Sequence, residues 1–309
     1  MDTGNDYKIF NKITMNIGDF IKQLEGEIKE TENEILKAEQ LLRLQEVARI
    51  YNGEDKLISS MDIVERMKER PAVSFYKTGF AGLDDILGGF LPKQLIVVSA
   101  ATKSGKTSFC IDLTSRFKEY NPVWLPFEES AEELIQKFLD REEEPPLFYT
   151  PDKMTGDTLL WVEKKVIEAK AKFDSKIIFI DHLHFIVPMT TERQDLAIGQ
   201  AMRELKRIAR QWNMIVVIIA HLKKTKVETQ PDLEDLRDSS FIAQEADTVL
   251  MLWRESIRKE GKVIITDNVN VSVQANRRTG KTGNVQMVFL KGHFLELEWK
   301  NEQPEDENW

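Results

Sequence analysis

The predicted fold rests on one stretch of the chain, Val98-Ser99-Ala100-Ala101-Thr102-Lys103-Ser104-Gly105-Lys106-Thr107. It follows an apolar run from Gln94 to Val98 and opens a segment, Ser108 to Tyr120, whose apolar residues have helical spacing. A strand, a tight loop and a helix in this order are typical of a phosphate-binding loop, because backbone N–H groups and the helix N-terminus then face an anion. The stretch therefore predicts a nucleotide site. The alternative is an ordinary glycine-containing turn before a basic helix.

The predicted phosphate contacts come from the loop backbone and from two side chains. Lys106 would reach the β- and γ-phosphates of ATP, and the Thr107 hydroxyl would ligate Mg²⁺. Ala100 stands where the pattern G-x-x-x-x-G-K-[ST] has its first glycine. Because alanine disfavours a positive φ, the pattern is compatible with Ala100 only if the backbone there has a negative φ. The residues predicted to enclose the nucleotide are Ala101, Thr102, Lys103, Ser104, Gly105, Lys106, Thr107 and Ser108.

Length and composition limit the class of protein. A chain of 309 residues fits one large domain with an appendage, and its single cysteine excludes an internal disulfide and a multi-cysteine metal site. The net charge of −9 argues against a surface that is basic throughout, so any contact with DNA would need a local basic patch. No stretch is typical of a signal peptide or a membrane span, which predicts a cytoplasmic protein without a membrane partner.

The chain divides into three predicted segments. Residues 1–70 are helical, residues 71–300 form an α/β domain, and residues 301–309 form an acidic, disordered tail. A seven-residue apolar repeat predicts a helix from about Gly18 to Tyr51, and a second helix is predicted from Ser60 to Arg70. The repeat is compatible with a self-associating coiled coil and with a helical hairpin inside one chain.

Apolar strands alternate with helices from Lys77 onward, which is typical of a parallel sheet covered on both faces. Strands are predicted at 94–98, 122–127, 176–181, 214–220, 248–253, 269–275, 285–290 and 294–299, and helices at 108–120, from 130, at 155–173 and at 193–212.

Polar residues at strand ends supply the remaining candidates for catalysis. Asp181 ends an apolar strand in the manner of a Walker B carboxylate and would hold Mg²⁺. Glu128 is predicted to be the general base for the attacking water, although Glu128 and Glu129 could instead favour the start of the next helix. His221 would hydrogen-bond the γ-phosphate and report its loss to the following lysines.

Two further groups of residues allow both a purely structural and a functional interpretation. His182 and His184 share one face of a strand, but no third metal ligand is expected near them, so a packed or surface role is predicted. The segment Arg277-Arg278-Thr279-Gly280-Lys281-Thr282-Gly283 suits phosphate contact, or else forms a solvated hairpin tip.

Together these residues resemble the DnaB-type replicative helicase family, over about Thr78 to Trp299. The most specific match is Asp235-Leu236-Arg237-Asp238-Ser239 through Gln244-Glu245-Ala246-Asp247, which is similar to the family signature D-L-R-x-S…Q-x-A-D. The other matching stretches are Thr78-Gly79-Phe80 with Leu83-Asp84, Ala100 to Thr107, Glu128 to Glu132, Asp181 to His184, Ala220 to Lys223, and Arg278 with Gly280.

The resemblance implies a RecA-like core that assembles into a ring, usually a hexamer, with ATP between neighbouring subunits. It implies ATP-dependent 5′→3′ movement on single-stranded DNA in replication. Arg278 matches the family's arginine finger, and because Asn276 replaces a lysine frequent in the family, Arg278 acts alone or together with Arg277.

The resemblance also implies DNA-facing loops after Asp181 and His221. The first candidate loop, Pro188 to Gln200, contains Arg193, and the second contains Lys223, Lys224 and Lys226; a solvated surface is the alternative for the lysines. Residues 1–70 stand where the family has a globular collar domain, which leaves contacts with a primase or a helicase loader open.

Two other functions compete with the helicase. One is a RecA-fold ATP switch or recombinase-like assembly ATPase that does not unwind DNA, and the other is an assembly protein that binds ATP without hydrolysing it. The Asp235–Ser239 stretch favours the helicase over the first, and Glu128 argues against the second.

Overall fold

A computed structural model describes residues 22–23, 25–26, 40–41, 58–69, 74–101, 104–141, 144–156, 158–187, 194–222, 229–236, 239–259 and 262–297. The chain divides into two compact units, Met1–Ala72 and Val73–Trp309. Most of the helix predicted from about Gly18 to Tyr51 lies outside the described residues, and so does the tail 301–309.

The first unit contains helix α1, Ser60–Glu69. The hydroxyl of Ser59 accepts a hydrogen bond from the backbone N–H of Asp62 at 3.1 Å, so Ser59 caps the helix. The predicted helix that starts at Ser60 is confirmed over the described residues.

The second unit alternates helices and strands as far as β5, and four consecutive strands then complete it. The helices are α2 (Ala81–Leu87), α3 (Lys106–Arg116), α4 (Ala131–Leu139), α5 (Leu159–Phe173), α6 (Gln194–Gln211) and α7 (Ser239–Glu245). The strands are β1 (Leu95–Ala100), β2 (Val123–Pro126), β3 (Ile177–Asp181), β4 (Ile215–His221), β5 (Thr248–Lys259), β6 (Lys262–Asn276), β7 (Gly283–Leu290) and β8 (His293–Glu296).

All eight strands form one sheet in the order β2-β3-β4-β1-β5-β6-β7-β8. The first five strands in this order, β2-β3-β4-β1-β5, are parallel to one another. Strands β6, β7 and β8 then extend the sheet, each antiparallel to the strand before it. The predicted α/β fold with a mostly parallel central sheet is confirmed. The carboxyl ends of β1 to β4 therefore lie at one edge, where ligands of such sheets bind.

The core lies on both faces of the sheet, as the apolar strands predict. Every residue of β1 is buried, with Ile96 and Val98 in one hydrophobic cluster and Leu95 and Val97 in the other. This alternation follows from the two-residue period of a strand, and it fixes β1 in the centre of the unit.

Three details differ from the sequence prediction. Helix α2 is absent from the predicted elements, and it buries Leu83 and Leu87 between glycines that obscure a helical pattern. Strands β5 and β6 extend beyond the predicted ranges as a hairpin with exposed apolar residues such as Ile257 and Ile264. Helix α3 ends at Arg116, and a 3₁₀ turn spans Lys118–Tyr120. In the described part of the chain no helix has the length and apolar character needed to cross a membrane.

Candidate functional site

The described residues at the two ends of the loop between β1 and α3 have backbone conformations that suit a phosphate-binding loop. Ala100 is the last residue of the extended strand, so the missing first glycine leaves the backbone unstrained. Gly105 caps α3 with a φ of 89°, and a Cβ at this position would lie 3.1 Å from the ring of Phe294. Glycine is required here both for the left-handed backbone and for the close packing. Thr102 and Lys103 lie outside the described residues.

Lys106 is buried at the first turn of α3, and its ammonium group lies over the loop. Its Nζ donates hydrogen bonds to the carbonyl oxygens of Ala100 at 3.1 Å and Ala101 at 3.3 Å. Burial lowers the pKa of Lys106, and the charges of Asp181 and Glu128 partly offset this. The side chain thus supplies a positive charge beside the loop that would enclose the phosphates.

Thr107 and Asp181 form a contact that fits a magnesium ion. The Thr107 hydroxyl donates a hydrogen bond to Asp181 Oδ2 at 2.8 Å, and Asp181 Oδ1 is buried without a hydrogen-bond partner among the described residues. Burial raises the pKa of Asp181 to about 6 despite the bond from Thr107. A cation at the unsatisfied oxygen would stabilise the carboxylate, and oxygen ligands are those that Mg²⁺ prefers.

Glu128 and Glu129 follow β2 but have different surroundings. Glu128 Oε2 lies 3.2 Å from His182 Nδ1, and its side chain is 53% exposed at the carboxyl edge of the sheet. Glu129 forms an ion pair with Lys137 on α4, and its side chain is only 10% exposed. Between the two carboxylates, Glu128 is the one that faces solvent beside the loop.

The start of α4 uses neither of these two acids as a cap. The Ser130 hydroxyl accepts from the Glu133 backbone N–H at 3.1 Å, and the Glu133 carboxylate accepts from the Ser130 N–H at 2.7 Å. This capping box confirms the predicted helix start. The helix start is thus capped without Glu128, so that residue is not needed as a cap of the next helix.

His221 ends β4 directly beside the loop. It pairs in register with Ala100, and its ring lies 4.3 Å from the ring of His182, measured between centroids. Burial lowers the pKa of His221 to about 4, and the charge of Lys106 lowers it further. At neutral pH the imidazole is uncharged, so it can contact a phosphate by hydrogen bonding and not by charge.

The expectation that no third metal ligand lies near His182 is wrong. One ligand atom from each of Glu128, His182 and His221 lies within 4.8 Å of the other two. Strands β3 and β4 are neighbours, so residues far apart in sequence meet where these strands end. His184 is outside this group, with its ring centroid 6.1 Å from that of His221.

Arg278 lies at the sheet edge opposite the loop. Asn276, at the end of β6, pairs with Thr248, which pairs with Ile96 near the start of β1. The four residue-to-residue steps from Ile96 to Ala100 span about 13 Å along the strand at about 3.3 Å per step. The Arg278 guanidinium donates a hydrogen bond to the Leu87 carbonyl and lies 5.0 Å from the centre of the Phe75 ring.

The sequence profile of a family described as DnaB-like helicase C terminal domain matches residues 76–147 and 146–295. This chain belongs to the DnaB-like helicase family. Replicative DNA helicase DnaC of Bacillus subtilis (strain 168) is 25% identical over 319 residues, covering 89% of this chain and 69% of the relative. Replicative DNA helicase DnaB of Geobacillus stearothermophilus is 24% identical over 319 residues, with the same coverage of 89% and 69%.

Solved structures of DnaB-like helicases have the same fold. One of them, an ATPase domain, superposes with a TM-score of 0.65 at 20% identity, covering 77% of this chain and 97% of that domain. A DnaB-like replicative helicase, solved in a study of its interactions with primase, gives a TM-score of 0.65 at 20% identity over 91% of this chain and 78% of that one.

Asp247, the last residue of the signature that is most specific for DnaB-like helicases, has a structural role in this chain. Asp247 Oδ2 accepts a hydrogen bond from the backbone N–H of Leu95 at 2.7 Å and forms a buried ion pair with Lys206 on α6. Asp247 therefore fixes the first residue of β1, the strand that leads into the phosphate-binding loop. The pairing of Lys206 with Asp247 has no signal in the sequence, because the two residues are 41 positions apart and Lys206 lies on a helix.

The four residues predicted to contact DNA lie outside the described residues; they are Arg193, Lys223, Lys224 and Lys226. The first predicted loop, Pro188 to Gln200, is too long, because α6 already begins at Gln194. Along the chain, segment 188–193 comes after the 3₁₀ turn Leu183–Ile186 and segment 223–228 comes after the end of β4. This 3₁₀ turn and the end of β4 lie at the same edge as the phosphate-binding loop.

Proposed function

We propose that this chain is the subunit of a hexameric, ring-shaped helicase that hydrolyses ATP to move 5′→3′ along single-stranded DNA in replication. Its membership of the DnaB-like family makes it an ATP-hydrolysing helicase. The observation that carries the proposal is the convergence of Lys106, Thr107, Asp181 and Glu128 at one edge of the sheet. This set supplies the parts that phosphoryl transfer to water requires.

Each residue has a distinct role in the proposed hydrolysis. The loop N–H groups and the Lys106 ammonium bind the phosphates and offset their charge. Thr107 and Asp181 hold Mg²⁺, which withdraws charge from the phosphate oxygens when it is bound. Glu128 accepts the proton of the attacking water, and uncharged His221 donates a hydrogen bond to the γ-phosphate.

The opposite positions of the loop and Arg278 support a ring. Arg278 is too far from the loop of its own chain to act there, whereas a neighbour could bring the guanidinium to the γ-phosphate. A contact between two different surfaces of the same chain forms a closed ring when the rotation between subunits closes. We propose that Arg278 acts in this way, in trans, on the ATP of the adjacent subunit.

The proposed DNA contacts come from segments 188–193 and 223–228, which follow β3 and β4 along the chain. The strand ends that precede them, Asp181 and His221, lie at the edge where ATP would bind, so a change at the γ-phosphate could be passed on through His221. Lys223, Lys224 and Lys226 supply the positive charge that a DNA backbone requires. A primase or a helicase loader is a proposed partner, by analogy with the DnaB-like helicase studied with primase.

The proposal is tested by the rate of ATP hydrolysis with and without single-stranded DNA, for the full chain and for Lys106→Ala. Hydrolysis that single-stranded DNA stimulates, and that Lys106→Ala abolishes, is the expected result. Hydrolysis that DNA leaves unchanged, together with no DNA binding, would instead favour the ATP switch that does not unwind DNA.

A further inference from the structure

Three strand ends bring two imidazoles and a carboxylate together beside the phosphate-binding loop. Glu128 follows β2, His182 follows β3 and His221 ends β4. Glu128 Oε2 and His182 Nδ1 are 3.2 Å apart, and one ligand atom from each of the three residues lies within 4.8 Å of the others. The sheet thus presents three metal-ligating side chains to one point.

We propose that Glu128, His182 and His221 bind a divalent transition-metal ion such as Zn²⁺, and that this ion inhibits the ATPase. Two imidazoles with one carboxylate are a donor set that suits Zn²⁺, Co²⁺ and related ions, whereas Mg²⁺ prefers oxygen ligands. The proposed site therefore differs in chemistry from the Thr107–Asp181 site. When both ions are present, the site formed by Glu128, His182 and His221 prefers Zn²⁺ to Mg²⁺.

The side chains need only a small movement to close around an ion. Tetrahedral ligands at about 2.0–2.1 Å from Zn²⁺ are about 3.3 Å apart. The pair Glu128–His182 already has this separation at 3.2 Å. Even the largest separation allowed in the group, 4.8 Å, must fall by only about 1.5 Å. The Glu128 side chain is 53% exposed and can rotate to make this change, whereas His182 is buried and stays in place.

Occupation of the site would stop hydrolysis by a direct chemical route. A bound ion takes the carboxylate lone pair with which Glu128 would accept the proton of water. It also fixes the His221 ring, which would otherwise contact the γ-phosphate. This inhibitory effect rests on the proposed function, whereas binding of the ion itself does not.

The first experiment measures binding to the full chain without nucleotide. Co²⁺ is titrated while visible absorption is recorded, and Zn²⁺ affinity is measured by competition with a chromophoric chelator. We expect one equivalent to bind, and Glu128→Gln and His182→Asn each to weaken binding at least about tenfold, because even partners outside the ligand set change metal affinity about 10–100-fold. His293→Asn is the matched control, since His293 lies against Asp112 and not at this site, and it should bind as the wild type does.

Two results would overturn the assignment of the site. One is no Co²⁺ spectrum and no competition for Zn²⁺ in the wild-type chain. The other is undiminished binding in Glu128→Gln, whose exposed side chain makes this variant informative even if His182→Asn fails to fold. A loss in His184→Asn as large as that in His182→Asn would also contradict the assigned ligands.

The second experiment measures Mg²⁺-dependent ATP hydrolysis as Zn²⁺ is added, with each variant normalised to its own rate without Zn²⁺. Wild-type turnover should fall at the Zn²⁺ concentration that fills the site and recover with a zinc-selective chelator. His182→Asn should need at least about tenfold more Zn²⁺. Full occupation of the site with undiminished turnover would refute the inhibitory role. A chain that does not hydrolyse ATP even without Zn²⁺ would refute the proposed function, and the Co²⁺ titration would still decide the site.

Discussion

Replacing Glu128 by glutamine removes the proposed general base with little change in shape. The amide keeps the length of the side chain and can still hydrogen-bond His182, which lies 3.2 Å from the carboxylate. It cannot accept the proton of the attacking water. Because the side chain is 53% exposed, the free energy of unfolding should change by no more than about 0.5 kcal/mol.

The expected loss of turnover follows from the role of a general base. Such a group contributes about 10²–10⁴ in rate, which corresponds to about 2.7–5.4 kcal/mol in the activation free energy at about 1.36 kcal/mol per tenfold. ATP binding should remain, because Lys106, Thr107 and Asp181 are unchanged. The assay is steady-state phosphate release with Mg²⁺-ATP and single-stranded DNA, beside a nucleotide-binding titration.

Glu129→Gln is the matched control for this experiment. It removes an ion pair with Lys137, whose side chain is 45% exposed, and such pairs contribute about 0–1 kcal/mol to stability. Turnover should stay close to that of the wild type. A large loss in Glu129→Gln with near-normal turnover in Glu128→Gln would refute the assignment of the base.

Four further predictions test the other parts of the account. Lys106→Ala should abolish hydrolysis and weaken nucleotide binding, and near-normal phosphate release would contradict the phosphate-binding loop. Removing Lys223 and Lys224 together should weaken single-stranded DNA binding and reduce the log–log salt slope by about 0.7 for each phosphate that is no longer neutralised, whereas an unchanged slope would mean that they face solvent. Arg278→Ala should lower turnover by about 10³–10⁵, and mixing it with Lys106→Ala should restore some activity; no recovery in confirmed mixed rings would exclude action in trans. Deleting residues 1–52 should loosen assembly in light scattering while ATP binding persists, and an unaltered oligomer would favour the intramolecular hairpin.

The central sheet and the nucleotide loop could be predicted because their signals are local. An apolar strand, the loop ending in Gly105-Lys106-Thr107 and the following helix lie within about two dozen residues, and β1 and α3 confirm them. The contact between Thr107 and Asp181 spans 74 residues, yet it follows once the phosphate-binding loop and Asp181 are both placed at carboxyl ends of parallel strands.

The parts that the sequence did not predict depend on contacts between distant elements. The group of Glu128, His182 and His221 forms only because β2, β3 and β4 are neighbours in the sheet, and strand order has no local signal. The extension of β5 and β6 was missed because exposed hairpin strands lack the burial pattern that marks a core strand. The neighbours Arg277 and Arg278 have no local signal that distinguishes them, since both are exposed and donate to backbone carbonyls of their own chain.

Strand separation is the most direct test of the proposed function. Two forked duplexes are compared in Mg²⁺ and ATP, one with a long 5′ tail and a short 3′ flap and the other with the tail lengths reversed. The account predicts that the wild-type chain unwinds the duplex with the long 5′ tail and leaves the other largely intact, and that Glu128→Gln unwinds neither. Unwinding of neither duplex by a chain that binds DNA and hydrolyses ATP would contradict the helicase, and unwinding only from the long 3′ tail would contradict the proposed direction.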